Sequence, residues 1–391
     1  DLIISSTSME ANHAIINVNE SELDVDFRMK YNNYKSLSYF IDSVDMYGNI
    51  RPSKINIADI GHFSDILFQM PNEIGVTGEM HGKVSNLSTK DVRIKYGKNT
   101  RISGDISFKG LPDFFSSLII AENIIISTNT GDIKSFDLPI LEKPIDLTNI
   151  VKEDKQISLM GNYNGYYEDF KSNIELSSYY GSINSDINFN TVDGLINFNA
   201  KLTSDSLNIG KLLDMNDILG KTSFNIQASG SGYSLEQMKY QLNCNLTKSD
   251  LFGYEYSRIG IKGLYFSDSI NADLRIGDKN LMMEALVKAD IDGEPAFKVN
   301  ANIVRANMDK LKLISGYQFA FSSEVDIDIK GTDLSTLNTD ISLMNSMLFF
   351  DDNQYQIDSI NISKHTNTEM FTSAKISSDI LDMNAEGYYD I

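Results

Sequence analysis

The sequence predicts an all-β protein, mainly antiparallel, with a few short amphipathic helices, in which an elongated and curled sheet forms an apolar groove. Three observations predict this fold. Apolar and polar residues alternate along most of the chain, a pattern typical of strands buried on one face. Asp-Gly pairs separate successive alternating runs, and helical periodicity is confined to short patches.

The alternating runs supply the predicted lining of the groove. In the run Leu23–Tyr31, apolar residues alternate with Asp24, Asp26, Arg28 and Lys30, so one face is apolar and the other is charged. Such one-sided runs indicate antiparallel strands rather than a buried parallel sheet. The predicted lining residues are Leu23, Val25, Phe27, Met29, Ile196, Phe198, Phe224, Ile226, Ala272, Leu274, Ile276, Leu281, Met283, Val287, Phe297, Val299, Ile303, Val325, Ile327 and Ile329.

Turn residues predict hairpins between neighbouring strands. Asp193-Gly194 and Asp292-Gly293 each lie between two alternating runs, and glycine accepts the positive φ that a tight hairpin turn requires. The segment Gly277–Asn280 predicts a looser turn of the same kind.

Four short patches have the apolar spacing of amphipathic helices. They are Ile57–Leu67, Leu111–Ile119, Leu207–Met215 and Met308–Ile314. These helices are too few to cover the apolar face of so many strands, and an apolar face has to be buried against something. A curled sheet would turn that face into a groove suited to acyl chains, because hydrophobic burial is non-directional.

A weak internal repeat divides the chain. An alternating run ends at a glycine and alternation resumes after an apolar residue, as at Gly82 and Leu87, or at Gly230 and Leu235. The uneven spacing argues against a propeller or a tight solenoid. It predicts one elongated β-groove array of four approximate units: 1–110, 111–205, 206–305 and 306–391.

The composition argues against several classes of partner and architecture. The net charge is −20, which argues against nucleic-acid binding because phosphate affinity depends on clustered lysine and arginine. The single cysteine, Cys244, excludes a disulfide framework. No stretch reaches the ~18 apolar residues of a membrane-spanning helix. The chain begins at Asp1 without a leader-like segment, and we expect it to be a mature product or a piece of a longer protein.

The sequence predicts no enzyme, no cofactor and no metal site. The histidines, His13, His62, His81 and His365, are far apart and lack zinc-binding spacing. The segment Gly232–Glu236 has glutamate where the nucleophile elbow needs its second glycine. Tyrosines clustered between residues 163 and 180 are read as half-buried strand residues, with a carbohydrate-stacking platform as the alternative.

Several segments resemble the repeating middle region of AsmA-like proteins of the translocation and assembly module (TamB) group. They are residues 206–213, 220–224 and 230–238, with weaker similarity at 111–115 and 331–334. The resemblance implies a β-taco groove in the periplasm of a Gram-negative envelope, tethered to the inner membrane by an N-terminal anchor that this chain lacks. It also implies contact with an Omp85-type outer-membrane barrel through a segment outside this chain.

The function expected from these observations is phospholipid transport. We expect a groove that carries phospholipid acyl chains between the inner and outer membranes during outer-membrane biogenesis. Two alternatives remain open: an assembly factor or chaperone for outer-membrane or secreted β-barrel proteins, which would use the groove edges for strand addition, and a purely structural β-scaffold of the cell surface.

Overall fold

The chain is all-β and antiparallel, as predicted. A computed structural model describes residues 2–59, 72–136, 155–234, 237–333, 336–367 and 371–388. Within these residues, 23 strands belong to one antiparallel sheet. The sheet is open, because in the part of the chain described here β1 pairs only with β2 and β23 only with β22. No helix within these ranges has the length and hydrophobicity needed to cross a membrane.

The strands follow one another with short connections. The first eleven are β1 Leu2–Ile4, β2 Ser8–Val18, β3 Ser21–Lys30, β4 Asp45–Asn56, β5 Glu73–Lys83, β6 Asn86–Tyr96, β7 Thr100–Lys109, β8 Leu118–Asn129, β9 Gln156–Tyr166, β10 Asp169–Ser178 and β11 Gly181–Val192. The others are β12 Leu195–Asn208, β13 Leu219–Gly232, β14 Lys239–Leu251, β15 Tyr254–Phe266, β16 Ser269–Gly277, β17 Leu281–Asp290, β18 Ala296–Asn307, β19 Phe319–Lys330, β20 Asn338–Phe350, β21 Asn353–Thr366, β22 Phe371–Ser378 and β23 Asp382–Tyr388.

The helices are short and lie between strands. A 3-10 helix, Tyr34–Tyr39, leads into α1, Phe40–Ser43. Helix α2 is Thr130–Ser135 and helix α3 is Ile209–Leu213. The Asn129 side chain caps α2 by accepting the Asp132 N–H at 2.9 Å, which satisfies one of the free donors of the first turn.

The chain divides into two compact units. Unit 1 is Asp1–Thr191 with Leu212–Asp214, and unit 2 is Val192–Lys211 with Met215–Ile391. In unit 1 each strand from β2 to β10 pairs with the strands before and after it. The strands from β13 to β22 of unit 2 pair in the same sequential way. The four-unit division expected from the repeat stays a prediction.

Two of the predicted helices are wrong. Residues 111–117 form turns, in which Asp113 accepts the Ser116 hydroxyl at 2.5 Å, and strand β8 begins at Leu118. Residues 308–314 are also turns, because one helical hydrogen bond, from the Leu311 N–H to the Asn307 carbonyl, is not continued.

The other two helix predictions have different outcomes. Of Leu207–Met215, residues 207 and 208 belong to strand β12 and only Ile209–Leu213 is helical. The helix predicted for Ile57–Leu67 lies mostly outside the described residues.

The predicted hairpins are confirmed as turns, with different lengths. Asp193 and Gly194 have φ values of 50° and 78° and form the whole connection between β11 and β12, as a primed two-residue turn requires. Gly293, with φ 67°, lies in a longer connection, residues 291–295, because β17 and β18 pair from Asp290 and Ala296. Residues 278–280 connect β16 to β17.

Register shifts recur at the same level of successive strands. In unit 1 they lie between Ala11 and Ala14, Glu22 and Val25, Ile50 and Ser53, Thr77 and Glu79, Ser88 and Val92, Ser103 and Asp105, and Ala121 and Ile124. These shifts are β-bulges or local irregularities, and bulges bend the strand and increase its twist. Unit 2 has a corresponding line, with shifts in β12, β13, β17, β18 and β19.

A buried carboxylate holds three strand ends of unit 2 together. Asp278 is almost fully buried and accepts hydrogen bonds from the Tyr254 hydroxyl at 2.7 Å, from the Ser257 N–H and hydroxyl, and from the Asn280 N–H. Burial alone would raise the pKa of Asp278, but these hydrogen bonds outweigh it and hold the pKa below its usual value. Burial and the bond to Asp278 raise the pKa of Tyr254 to about 12.

Replacing this carboxylate should destabilise the fold. We expect Asp278→Asn to lower the free energy of unfolding by about 2 kcal/mol, since hydrogen bonds to a buried charged group are lost. Urea denaturation of both proteins measures the difference. Asp273→Asn, at an exposed position on the preceding strand, is the control and should change stability by less than ~0.5 kcal/mol.

The pH dependence of this difference has a defined sign. Because the folded-state pKa of Asp278 is lowered, its contribution is fully present above the unfolded value of about 3.9 and is lost as pH falls through the folded pKa. The raised pKa of Tyr254 gives a contribution that is present below about pH 10 and is lost as pH rises through the folded value. Tyr254→Phe should abolish the alkaline part and, because it also removes one of the hydrogen bonds that lower the pKa of Asp278, should reduce the acid part. A difference between wild type and Asp278→Asn that grows toward pH 3 would contradict this assignment.

Candidate functional site

The apolar side chains of unit 2 form continuous rows across the strands. Residues that pair in an antiparallel sheet share a face, so the register can be followed from strand to strand. One row is Leu202, Ile226, Cys244, Ile261, Leu274, Ala285, Ala301, Val325, Leu343 and Ile360. The next is Ala200, Ala228, Leu242, Gly263, Ala272, Val287, Val299, Ile327, Ile341 and Ile362. We call the surface that carries these rows the apolar face of unit 2.

The predicted lining residues of unit 2 all lie on strands, and each is buried or half-buried. Phe224 and Val325 are buried, and the others, including Ile196, Leu274 and Ile303, are half-buried. Their register places Phe297 beside Ile329, and Val299 beside Ile327. The structure therefore brings these residues onto one face, while their contact with lipid stays a prediction.

Unit 1 carries a comparable surface. Val25 is buried and Leu23, Phe27 and Met29 are half-buried on β3. One row of this unit is Ser53, Val76, Ile94, Ile102, Ile126, Leu159, Leu176 and Ile183. The pattern of one apolar face therefore recurs in both units.

Two pairs of hydroxyl groups on the apolar face of unit 2 bond to one another. The buried hydroxyls of Thr222 and Ser249 lie 3.1 Å apart, and those of Ser323 and Ser346 lie 2.9 Å apart. Pairing removes most of the cost of burying a hydroxyl. The face can therefore stay apolar in character where the bulges place small polar residues on it.

Aromatic rings line the apolar surfaces near one end of the strands. In unit 1, Tyr163 stacks on Phe170 at 5.1 Å and Phe170 on Phe189 at 5.4 Å between ring centroids. In unit 2, Tyr240 lies 6.1 Å from Phe198 and 5.7 Å from Tyr265. These separations are typical of aromatic pairs in protein cores.

A glycine allows the aromatic contact in unit 2. Gly230 lies between Phe198 and Tyr240 in the register, and a Cβ on it would be 2.2 Å from Phe198 Cε1 and 2.7 Å from the Met238 sulfur. The missing side chain at this position leaves room for the rings.

The tyrosines between residues 163 and 180 are divided between two environments. Tyr163 is stacked and half-buried, and Tyr180 is buried against Ile157. Tyr166, Tyr167 and Tyr179 are exposed at turns. The cluster is therefore not one flat platform. Tyr163 agrees with the strand interpretation, whereas Tyr180 lies in the turn between β10 and β11.

A turn segment covers one part of the apolar face of unit 2. Leu311, in the connection between β18 and β19, is almost fully buried against Tyr254, Tyr256 and Ile259, and Met308 packs on the same cluster. Their spacing of three residues is the signal that predicted a helix here. The residues instead belong to turns that bring the two side chains onto the sheet.

The opposite surface, which we call the outer face, carries the charges. Asp326 and Asp328 lie there, bonded to Asn300 and to Lys298. His365 lies 3.0 Å from Asp340, and His13 lies 3.6 Å from Asp24. Among the described residues, no group of three side chains could hold a metal ion. His62 is outside those residues.

Sequence reasoning missed several residues of the apolar face of unit 2, including Ile259, Ile261, Ile341, Leu343 and Ile362. In β15 two glycines, Gly260 and Gly263, interrupt the apolar pattern. In β20 the bulge at Asn345, with φ 52°, moves the apolar positions from odd to even numbers. A search for alternation that permits one inserted residue would have found Leu343 and Leu348 on the same face.

Comparisons with protein-family models, with curated proteins and with solved structures found no match to this chain. The resemblance to the AsmA-like proteins therefore stays a prediction from the sequence. The apolar face and the charged outer face are the structural features that bear on function.

The lone cysteine provides a test of the apolar face. Cys244 lies between Ile226 and Ile261 in a row, is buried, and has a thiol whose pKa is raised by burial. We expect a maleimide to react with native Cys244 at least ~100-fold more slowly than with the unfolded chain, because the thiolate is the reacting form.

The neighbouring residue supplies a matched control. Asn245 is exposed on the other side of the same strand. In a Cys244→Ala background, Asn245→Cys should react within a few fold of a free thiol. Equal protection of the two positions would contradict the assignment of faces.

Proposed function

We propose that the apolar face of unit 2 is a trough that holds the acyl chains of phospholipids. The observation that carries the proposal is the continuous apolar row from β12 to β21. At about 4.8 Å between strands, this row extends for about 43 Å. One leaflet of a bilayer has a hydrocarbon depth of about 15 Å, so the row is long enough for several acyl chains end to end.

The chemistry of this face favours hydrocarbon over a polar ligand. Two pairs of its buried hydroxyl groups, Thr222 with Ser249 and Ser323 with Ser346, bond to one another, and charged groups such as Lys298 and Asp328 lie on the outer face. A ligand on the apolar face would gain free energy from burial of apolar area, about 0.8 kcal/mol for each CH₂ group. Such binding does not depend on the direction of the chain, which suits transport of lipids with different tails.

The cellular setting in the proposal comes from the resemblance to AsmA-like proteins. Periplasmic location, an inner-membrane tether and an Omp85-type partner rest on the resemblance alone. Transport of phospholipids between two membranes is the role that agrees with both the resemblance and the apolar rows.

A structural scaffold and an assembly factor would each use the sheet in a different way. A structural scaffold would need the whole face to be sealed by protein. In the described part of unit 2 the cover is local, from the connection between β18 and β19 near Tyr254 and Ile259 and from Met238 near Gly230. An assembly factor that adds strands would use the free edge at β23, whose residues are nearly all exposed. Lipid on the apolar face separates the transport proposal from both.

Photo-crosslinking tests the trough directly. Leu242 lies on the apolar face, is 40% exposed and is the least buried side chain of its row. A photoreactive phenylalanine derivative at this position should crosslink to co-purified phospholipid, detected by mass spectrometry of the intact chain. The same residue at Gln241, which is exposed on the outer face of the same strand, should give at least ~10-fold less lipid adduct, because successive side chains point to opposite faces.

A charge inside the trough should remove the lipid. Replacing Phe224, Ile226 and Leu274 with glutamate should abolish lipid occupancy measured by native mass spectrometry and lipid extraction. Replacing Asn225, Gln227 and Asn245 with glutamate on the outer face is the control for charge. Unchanged occupancy in a folded trough variant, or equal lipid adducts at positions 241 and 242, would exclude the proposal.

A further inference from the structure

A row of exposed apolar side chains follows the turns at one end of the unit 2 strands. Ile218 is 39% exposed, Phe252 55%, Leu313 45%, Tyr317 60% and Phe350 40%. They come from the connections between β12 and β13, β14 and β15, and β18 and β19, and from the end of β20. We call these five residues the turn ridge.

Contacts between the turns join the ridge into one surface. The Phe252 N–H donates to the Ile218 carbonyl at 2.8 Å, and Lys312 Nζ donates to the carbonyl of Gly253. The rings of Tyr317 and Phe350 are 5.2 Å apart. The exposed side chains are therefore held in place by neighbouring turns and are not isolated surface residues.

The ridge is continuous with the apolar face. Within the segment 308–318, Met308 and Leu311 pack on the sheet, while Leu313 and Tyr317 are exposed. Phe350 pairs with Phe319 at the end of the apolar face. Hydrocarbon that leaves the apolar face at this end therefore meets the ridge first.

The backbone at the tip of the β14–β15 turn favours a different residue from the one present. Phe252 has φ 52° and Gly253 has φ 72°, the conformation of a primed two-residue turn in which Asn-Gly is strongly preferred. A bulky residue with positive φ is uncommon and strained. The position instead presents an aromatic ring to the surroundings.

We propose that the turn ridge docks on the surface of a bilayer with electrically neutral headgroups and passes acyl chains to the apolar face. This inference rests on the proposed trough. Exposed aromatic and aliphatic side chains with polar neighbours are typical of segments that lie at a membrane interface.

The acidic residues beside the turn ridge favour a membrane surface without net negative charge. The ridge is flanked by Asp217, Asp309, Asp351 and Asp352, and in a chain of net charge −20 these carboxylates repel anionic headgroups. The two lysines of the segment 308–318 already have partners within the protein. Lys310 lies 3.1 Å from Asp309, and Lys312 donates a hydrogen bond to the Gly253 carbonyl.

Vesicle flotation with the full chain tests the ridge. Wild type should float with phosphatidylcholine vesicles and bind at least ~10-fold more weakly when half of the lipid is phosphatidylserine. The double variant Phe252→Asn with Tyr317→Ser should bind phosphatidylcholine vesicles at least ~10-fold more weakly, since it loses two aromatic side chains that binding to the bilayer would bury. The single variant Phe252→Asn supplies the residue that this turn favours, so any loss of vesicle binding that it causes alone is not explained by weaker folding.

Phe266→Asn is the matched control. Phe266 is 51% exposed beside the turn at the other end of β15, and its replacement should leave vesicle binding within twofold of wild type. Equal binding of the double variant and wild type, or an equal loss in Phe266→Asn, would overturn the proposal. A concentration-dependent dimer in sedimentation that the double variant abolishes would assign the ridge to self-association and overturn it as well.

The crosslink at Leu242 separates the two proposals. Lipid adducts at this position together with no flotation of wild type would overturn the ridge and leave the trough intact. No adduct at this position would exclude the trough itself, whatever the vesicles show, and with it the transfer role of the ridge.

Discussion

Across the strands of each unit, apolar side chains on one face are kept half-buried mainly by the side chains of the paired strands beside them. In a protein with two layers, a second sheet or a set of helices would supply that cover. Here, within the residues described, such cover is local. The connection between β18 and β19 supplies it near Tyr254, Tyr256 and Ile259, and Ile133 of helix α2 supplies it near Ile157 and Tyr180. Side-chain contacts along the rows therefore have to do most of the work of burial.

The aligned bulges help to bury the apolar side chains without a second layer. Bulges bend their strands and raise the twist, and a sheet bent toward its apolar side brings the side chains of that side closer together. The bulges are also pinned: the N–H groups of His13, Asp91 and Asn123, all with positive φ, donate to side-chain oxygens of Asp26, Asp105 and Asn162 on the next strand. A bulge fixed in this way fixes the register, and a shift by one residue would move every apolar side chain to the outer face.

Alternation was enough to predict the strands, their antiparallel pairing and the face that each apolar residue occupies, as at Phe297 and Val299. It was not enough to place the bulges, because one inserted residue leaves normal alternation on both sides. Helical spacing misled at Met308 and Leu311, because a spacing of three residues brings two side chains together in a turn as well as in a helix. The turn ridge escaped notice for a related reason: it unites turns distant in sequence, and only the pairing of β12 to β20 places them side by side.

Because charged groups lie on the outer face and apolar side chains on the other, lipid bound to the apolar face would add to the stability of the folded chain. An unfilled apolar face is unfavourable in water, because proteins rarely expose contiguous apolar patches larger than a few hundred Å². The acidic residues of the outer face would repel other copies of the chain without covering the apolar face. A ligand that binds the folded chain and not the unfolded chain adds to stability in proportion to the logarithm of its concentration relative to Kd. Acyl chains on the apolar face would therefore be both cargo and part of the core. Release of lipid would then cost the protein part of its own stability, so a receiving membrane must offer the acyl chains at least as favourable an environment.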